Sequence, residues 1–184
     1  MINALVKLAS LILFKFYGYE ALNVFLRNLP SSKINLILRQ FGAKIGSNVR
    51  IKSPIIIHNA DKNKNKNIYS NLIIGDGVYL GRDCIIDLMG KVTIENNVTI
   101  SHRVVLNTHT DLGESHILKN KYYPTTVGKI TIKEGTYSGS NVTILQNVII
   151  GSNSFIGAFS LVNNNIKSGY RAFGVPCREN KRLI

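Results

Sequence analysis

The sequence predicts a mainly β fold, a parallel β-helix in which short strands form a coil of triangular section. Two observations predict it: aliphatic residues recur at every sixth position through most of residues 72–162, and Gly, Asn, Asp and Ser fill the positions between them. The apolar face of a helix would repeat near 3.6 residues, and strands of an antiparallel sandwich would alternate for longer between turns. Neither of those folds fits the pattern.

Two ladders of side chains, two positions apart, carry this period. We expect the aliphatic ladder to point into the core and successive coils to stack as parallel sheets. Its members are Ile74, Leu80, Ile86, Ile94, Ile100, Leu106, Ile132, Ser138, Ile144, Ile150, Ile156 and Val162. The second ladder consists of Leu72, Val78, Cys84, Val92, Val98, Val104, Ile130, Thr136, Val142, Val148, Ser154 and Ser160. Glycine follows the aliphatic position at Gly75, Gly81, Gly139, Gly151 and Gly157. Because Gly, Asn and Asp tolerate left-handed backbone conformations, a turn every six residues is feasible.

Residues 1–41 are predicted to form a helical segment in front of a β-helix domain at 42–184. The dense apolar residues of 2–28 favour one helix, and Ser32 is placed to cap a second helix over 33–41. The coil is expected to run to about residue 166, followed by a C-terminal tail that packs alongside it.

The first helix has two competing uses. We expect it to pack on the rest of the protein, with contact to a membrane surface as the alternative, because Lys7, Lys15 and Arg27 lie among its apolar residues. The apolar run at 8–14 is shorter than the ~18 residues of a membrane span. No small-residue cleavage site follows that run. These features predict a cytoplasmic protein, peripheral to the inner membrane face if the helix binds lipid.

The charge balance points to an anionic partner. The 184 residues include 23 Lys and Arg against 10 Asp and Glu, a net charge of +13. An anionic membrane surface, a phosphorylated cofactor or substrate, and nucleic acid all satisfy such a balance. Nucleic acid is disfavoured because the basic residues are dispersed and form no recognised motif. Cys84 and Cys177 are too few and too distant for a disulfide framework, which fits a reducing compartment.

Two segments interrupt the ladders. Residues 59–71 contain the alternating Lys/Asn run 62–67 and no core residues, which predicts a solvated, mobile loop. The second segment, 107–128, carries His109, Asp111, Glu114, His116, Tyr122 and Tyr123. Because loops that project from a rigid scaffold commonly hold function, we expect the active site at this second segment.

Three stretches of the coil carry a resemblance to a known family. They are 100–111 (ISHRVVLNTHTD), 137–162, and the closing 174–178 (GVPCR). Together they resemble the hexapeptide-repeat acyltransferases, especially galactoside and maltose O-acetyltransferases and the O-acetyltransferases of bacterial surface-polysaccharide synthesis. The resemblance covers 42–184. It implies a left-handed β-helix, a homotrimer with active sites between neighbouring subunits, and transfer of acetyl from acetyl-CoA to a sugar hydroxyl.

His109 matches the family's catalytic histidine at the start of the projecting loop. The chemistry agrees, because a hydroxyl loses its proton as it attacks the thioester and histidine suits that task near neutral pH. We expect direct transfer with no acetyl-enzyme. His102 lies in a repeat turn and is expected to be structural.

The resemblance also implies a set of cofactor-binding residues. They are Ser140, Ala158, Asn163, Asn164, Arg178 and Lys181. Ser140 and Ala158 match positions along the CoA arm, and the last two match basic residues that meet its phosphates. Asn163–Asn164 stands where some members have Thr-Lys, which removes a positive charge; we expect Lys167 to compensate.

The acceptor side departs from the family at Asp83, which matches a substrate-binding Asn in the coil before the catalytic histidine. Asp83 and Asp87 are predicted to bind substrate. An ionised carboxylate accepts a hydrogen bond from a sugar hydroxyl but donates none, so the acceptor is expected to differ from simple galactosides or maltose.

Three alternatives remain open from the sequence. The nearest is N-acetylation of an amino sugar or nucleotide-sugar, and detoxification of an antibiotic is another acyl transfer. A zinc hydratase of the carbonic-anhydrase type is the third, because His102, His109 and His116 are evenly spaced and three histidines suit zinc. Against it, the closing 174–178 stretch favours CoA, so no metal is expected.

Overall fold

The computed structural model describes residues 1–60, 67–114, 117–118 and 121–184. Most of the Lys/Asn run predicted to be mobile, and His116, lie outside these residues. The expectation that 59–71 holds no core residues is wrong for its described part, because Ile68 and Tyr69 are buried in the core. Two helices precede the strands, α1 (Ile2–Leu26) and α2 (Ser31–Gln40). The strands are β1 (Lys44–Ile45), β2 (Arg50–Ile51), β3 (Ile55–His58), β4 (Leu72–Ile74), β5 (Tyr79–Leu80), β6 (Cys84–Asp87), β7 (Val92–Ile94), β8 (Thr99–Ile100), β9 (Val105–Leu106), β10 (His109–Thr110), β11 (Thr126–Val127), β12 (Ile130–Ile132), β13 (Tyr137–Ser138), β14 (Thr143–Ile144), β15 (Ile149–Ile150), β16 (Phe155–Ile156), β17 (Leu161–Val162), β18 (Tyr170–Phe173) and β19 (Arg178–Arg182).

The strands follow one another around three faces. Sheet 1 has the order β1-β4-β7-β12-β15, sheet 2 the order β2-β5-β8-β13-β16-β18-β19, and sheet 3 the order β3-β6-β9-β14-β17. Neighbours within each sheet pair in parallel, except β18 with β19, and come from successive circuits of the chain. Both predicted ladders are buried between the three faces, from Leu72 to Val162. This confirms the mainly β fold with parallel sheets.

The turns between faces explain the polar residues of the period. The turns from sheet 1 to sheet 2 form corner 1–2, those from sheet 2 to sheet 3 form corner 2–3, and the segments from sheet 3 to sheet 1 form corner 3–1. At corner 2–3 the third turn residue has a left-handed φ in successive coils: 59° at Asp83, 57° at Arg103, 58° at Asn141 and 59° at Phe159. The predicted left-handed positions are present, but Arg and Phe also occupy them.

The coil is longer than the ladders predict. Strand β18 adds to sheet 2 in parallel with β16, so the parallel stack reaches Phe173 rather than ending near residue 166. Strand β19 then turns back antiparallel along β18 and forms the edge of sheet 2. The tail therefore extends the coil as well as packing beside it.

The helices differ from their predicted bounds. Helix α2 begins at Ser31 behind Pro30, and Ser32 makes no capping hydrogen bond. Ser31 instead accepts a hydrogen bond from the Ile51 amide at 2.8 Å. Helix α1 is interrupted at Gly18, where φ is 75° and ψ is −170°. By length and composition α1 is apolar enough to count as a candidate membrane span, beyond what the short run at 8–14 predicts.

Only part of α1 packs as predicted. Leu22, Asn23 and Leu26, beyond the kink, are buried. The side-chain amide of Asn23 donates to the Ile57 carbonyl at 3.0 Å and its oxygen accepts from the Tyr69 hydroxyl at 2.7 Å, which ties α1 to the coil. Before the kink one side of α1 packs on α2 through Phe14, as expected, whereas most of its other apolar side chains are exposed.

Candidate active site at the base of the projecting loop

His109 lies where the chain leaves the coil, just after β9. Strand β10 pairs antiparallel with β11, which places His109 opposite Val127. The amide of Gly128 donates to the carbonyl of Thr108 at 2.8 Å. These contacts close the base of the loop at corner 3–1, so the imidazole stands on a backbone fixed by the coil.

The carboxylate of Asp87 lies behind this imidazole and is 4% exposed. Its Oδ2 is 2.6 Å from Nδ1 of His109 and accepts from the amide and the hydroxyl of Thr108 at 2.9 and 2.6 Å. Its Oδ1 accepts from the side-chain amide of Asn59 at 2.8 Å and from the Met89 amide at 3.2 Å. Groups of the chain occupy both oxygens, which fixes the carboxylate in one orientation.

These contacts decide the charge of Asp87. Burial raises the pKa of its carboxyl, but the hydrogen bonds from Thr108, Asn59, His109 and the Met89 amide outweigh burial and hold the pKa below its usual value. The carboxylate is therefore ionised at neutral pH and accepts the Nδ1 proton of the neutral imidazole. That tautomer leaves the lone pair on Nε2.

A cavity of about 200 Å³ adjoins the pair. It is lined by His58, Asn59, Ile85, Asp87, Val105, Leu106, Asn107 and His109. Ile85 and Val105, which are paired on β6 and β9, give it an apolar floor, whereas its polar groups come from the ends of strands. An apolar surface with a few placed polar groups is typical of small-ligand sites.

His102 belongs to the same coil but lies at corner 2–3. Its Nδ1 accepts a hydrogen bond at 3.0 Å from the amide of Arg82, in the turn one coil earlier. Asn96 caps the amide of Asp76 in the same way at corner 1–2, at 2.8 Å. This contact supports a structural role for His102.

Ser140 and Ala158 occupy the middle of consecutive turns at the same corner. In an earlier turn at this corner the middle residue is Arg82, and His102 in the next coil caps its amide. The residue in the next coil after Ser140 is Ala158, whose methyl group accepts no hydrogen bond. Within the described residues, no acceptor takes the amide hydrogen of Ser140 or of Ala158. A Cβ at Gly139 would lie 2.6 Å from the Ala158 nitrogen, so glycine allows this close stacking. The corner presents two free N–H groups about 4.8 Å apart.

The other predicted cofactor residues are dispersed over the end of the coil. Asn163 and Asn164 follow β17 at corner 3–1, the corner of His109, and not beside Ser140. Arg178 is opposite Phe173 at the start of β19, close to corner 2–3. Lys181 is exposed further along β19.

Lys167 does not replace the positive charge missing at Asn164. It lies at corner 1–2, and its Nζ is 3.4 Å from the Glu179 carboxylate. The expectation that it compensates is wrong, because sheet 1 separates it from the Asn164 corner.

The two predicted substrate-binding carboxylates do not converge. Asp83 is exposed in a turn at corner 2–3 and does not line the cavity beside His109. Strand β6 separates it from Asp87 at corner 3–1. Groups of the chain hold both Asp87 oxygens, and Oδ2 contacts Nδ1 of His109, a geometry that favours positioning of the imidazole; substrate binding by Asp87 stays a prediction.

Sequence reasoning missed four residues of this site: His58, Asn59, Asn107 and Thr108. A signal for the first two was present. His58 pairs with Asp87 across β3 and β6, and Ile57 pairs with Ile86, a ladder residue. The polar insertion after Asn59 breaks the six-residue period, so the sequence pattern did not reveal that β1 to β3 form a coil before Leu72.

Nothing among the described residues gathers a metal site. No group of three or more His, Cys, Asp or Glu side chains converges there. His102 and His109 lie at different corners, and His116, the third histidine of the zinc alternative, lies outside the described residues.

Comparison with known proteins matches the repeat and the fold. Residues 129–164 match the family model described as bacterial transferase hexapeptide (six repeats). The chain is 28% identical over 159 residues to a galactoside O-acetyltransferase of Lactococcus lactis, covering 84% of this chain and 69% of the relative. It is 28% identical over 148 residues to the putative colanic acid biosynthesis acetyltransferase WcaF of Escherichia coli, covering 80% and 71%.

A solved structure of a galactoside acetyltransferase in complex with coenzyme A superposes with a TM-score of 0.73 and 26% identity. The match covers 99% of this chain and 82% of the other. The repeat match, the relatives and the shared fold agree: the chain carries the transferase hexapeptide repeat and is similar to hexapeptide-repeat acetyltransferases.

Proposed function

We propose that this protein is an acetyl-CoA-dependent O-acetyltransferase that acts on a sugar hydroxyl by direct transfer, with His109 as general base. The observation that carries the proposal is the 2.6 Å contact between Asp87 Oδ2 and His109 Nδ1 beside a cavity of about 200 Å³. A buried carboxylate that holds Nδ1–H leaves Nε2 free to take a proton from an acceptor in the cavity.

The proton path requires only one base. Nε2 of His109 takes the acceptor's hydroxyl proton as that oxygen attacks, and the imidazolium returns the proton to the departing sulfur. The ionised Asp87 stabilises the imidazolium between these steps. Acetyl-CoA supplies an activated acyl group as a thioester. A cysteine nucleophile is disfavoured, because burial raises the pKa of Cys84 to about 11.

The free amides at corner 2–3 fit the donor substrate. The N–H of Ser140 suits an oxygen that becomes negative during transfer, and the N–H of Ala158 suits an amide carbonyl of an extended arm lying along the corner. Arg178 extends the same corner towards the end of the coil, where a phosphate would meet a cation.

The geometry supports a site shared between two copies of the chain. His109 is at corner 3–1 and Ser140 at corner 2–3, on opposite edges of sheet 3. The four or more residues that cross this sheet span about 13 Å, too far for one thioester to reach both groups. A homotrimer of left-handed coils would place corner 2–3 of one copy against corner 3–1 of its neighbour.

The acceptor is proposed to be a sugar unit of a surface glycan. The likeness to galactoside O-acetyltransferase and to WcaF supports this class. The apolar floor formed by Ile85 and Val105 suits the face of a sugar ring, and Asn107 and His58 supply hydrogen bonds at its edge.

The function is tested by following CoA release with sugars, nucleotide-sugars and lipid-linked oligosaccharides as acceptors. Acetylation of a hydroxyl on one class is expected. Exclusive acetylation of an amino group would replace O-transfer with N-transfer, and CoA release from none of these acceptors would contradict the proposal.

The shared site is tested by mixing two inactive variants, His109→Ala and Ala158→Asn. Each lacks one half of the site. If trimers mix at random, about a quarter of the sites combine an intact His109 with an intact neighbouring corner. Recovery of that order is expected, and no recovery from trimers shown to have mixed would place the whole site within one chain.

A further inference from the structure

The first part of α1 presents an apolar surface to solvent. Ile2 is 65% exposed, Leu5 59%, Leu8 55%, Ile12 47% and Phe16 69%. At 100° per residue these side chains, with Leu11, fall on one half of the helix. A contiguous exposed apolar surface of this kind marks an interaction site.

The opposite side of the same helix is docked on α2. The side-chain amide of Gln40 donates to the Lys7 carbonyl at 3.2 Å and to the Ser10 hydroxyl at 3.1 Å. The ring of Phe14 lies 5.2 Å from that of Phe41, edge to face. These contacts hold the helix against the body of the protein, so the exposed side cannot turn inward without breaking them.

The charge around α1 indicates which kind of partner would cover its exposed apolar side. Residues 1–60 contain one acidic residue, Glu20. The same stretch contains the basic residues Lys7, Lys15, Arg27, Lys33, Arg39, Lys44, Arg50 and Lys52. Lys15 stands within the apolar side, its Nζ 5.8 Å from the Phe16 ring centroid. A second copy would bring the same excess of positive charge, which opposes pairing, whereas an anionic bilayer neutralises it.

We propose that α1 binds the surface of an anionic lipid bilayer and lies in the plane of the interface. Leu5, Leu8, Ile12 and Phe16 enter the boundary between headgroups and acyl chains, while Lys15 stays with the headgroups. The helix does not span the bilayer: Ile2 to Tyr17 measures about 24 Å at 1.5 Å per residue, against about 30 Å of hydrocarbon. Beyond Gly18 the helix is anchored on the protein by the buried Leu22, Asn23 and Leu26.

Vesicle flotation of the full chain tests this inference. Vesicles of phosphatidylcholine with a third phosphatidylglycerol should carry the protein, and pure phosphatidylcholine should carry much less. Leu8→Ser with Ile12→Ser should reduce binding at least tenfold. The matched control, Leu183→Ser with Ile184→Ser, removes two exposed aliphatic residues at the other end of the chain and should leave binding unchanged.

Lys15→Gln separates charge from hydrophobic insertion. It should weaken binding to the anionic vesicles by about fivefold, the equivalent of about 1 kcal/mol per lysine near a charged surface. Since these side chains are exposed, circular dichroism and the unfolding midpoint should match the parent. Acetyl transfer to a soluble acceptor should also be unchanged, because α1 contributes no residue to the cavity beside His109.

Three results would overturn the inference. One is no binding to anionic vesicles. Another is equal binding by the Leu8→Ser, Ile12→Ser variant and its control. The third is a smaller oligomer for that variant by sedimentation velocity without any vesicle binding, which would assign the apolar side to a second copy of the chain.

Discussion

His102 and His109 lie in one coil and use the same ring nitrogen in opposite ways. Nδ1 of His102 accepts a hydrogen bond from the Arg82 amide, whereas Nδ1 of His109 meets the Asp87 carboxylate. The first histidine therefore carries its proton on Nε2, and the second keeps its lone pair there. The difference shows that the partner at Nδ1, rather than the histidine itself, decides which ring nitrogen keeps a lone pair, and it is the reason His109 is the proposed base.

The two corners also differ in how completely their polar groups form hydrogen bonds within the protein. At corner 3–1 Asp87 is surrounded by donors of the protein, so the site is rigid before any ligand binds. At corner 2–3 the amides of Ser140 and Ala158 have no acceptor among the described residues. A base needs a fixed orientation, whereas a cofactor needs unsatisfied donors.

The two histidines give the largest predicted effect. His109→Ala should lower turnover by roughly 10²–10⁴, the usual contribution of a positioned base, without loss of acetyl-CoA binding. His102→Ala should leave turnover near normal and cost about 1 kcal/mol of unfolding free energy, because one capping hydrogen bond is lost. Turnover assays and thermal unfolding of both variants test which histidine acts as the base. The reverse pattern would assign the base to His102.

Capping the free amide of Ser140 should give the next largest effect on turnover. Ala158→Asn places an acceptor above Ser140, as Asn96 does above Asp76, and so removes the free amide. Turnover should fall by about 10²–10³ with no loss of stability. The control is Ser168→Asn, which keeps an acceptor above the already capped amide of Ser152. Equal turnover of the two variants would show that the Ser140 amide takes no part in transfer.

The basic residues of β19 should affect the donor substrate alone. Arg178→Ala with Lys181→Ala should raise the KM for acetyl-CoA by about tenfold or more, because charge-assisted contacts contribute about 1.5–3 kcal/mol each. The acceptor KM should stay near its original value. Lys44→Ala with Lys52→Ala removes two exposed charges from the first coil and serves as the control. An unchanged KM for acetyl-CoA would remove both residues from the cofactor site.

The smallest effect concerns acid stability. The pKa of Asp87 in the folded protein lies below its usual value of about 3.9. The ionised carboxylate therefore contributes fully to the free energy of unfolding above about pH 3.9, and this contribution is lost as the pH falls through the lower pKa of the folded state. Asp87→Asn should lower the unfolding free energy at pH 7 and flatten its loss below about pH 4. Asp83→Asn, in an exposed turn, should leave the acid profile as in the parent. Parallel profiles for Asp87→Asn and the parent would contradict the role of this carboxylate.

Much of the fold was predictable from the sequence, because it depends on residue type and spacing along the chain. The ladders from Leu72 to Val162 predict the coil because every sixth residue meets the same environment in a repeating structure. The left-handed turn positions were less predictable, because Arg103 and Phe159 adopt a φ that glycine and asparagine adopt at lower cost. The end of the coil at Phe173 was missed because Tyr170 to Phe173 does not keep the six-residue count.

The sequence by itself determined the repeat, the interruption at 107–128 and the position of His109 within it, because these depend on residue type and spacing along the chain. The tertiary structure decided which groups meet. Asp87 reaches His109 and Asn59 reaches Asp87 only because successive circuits stack at one corner, across separations along the chain that differ with each insertion. Asp83, four positions from Asp87, lies at another corner for the same reason: a strand between them spans one face of the coil.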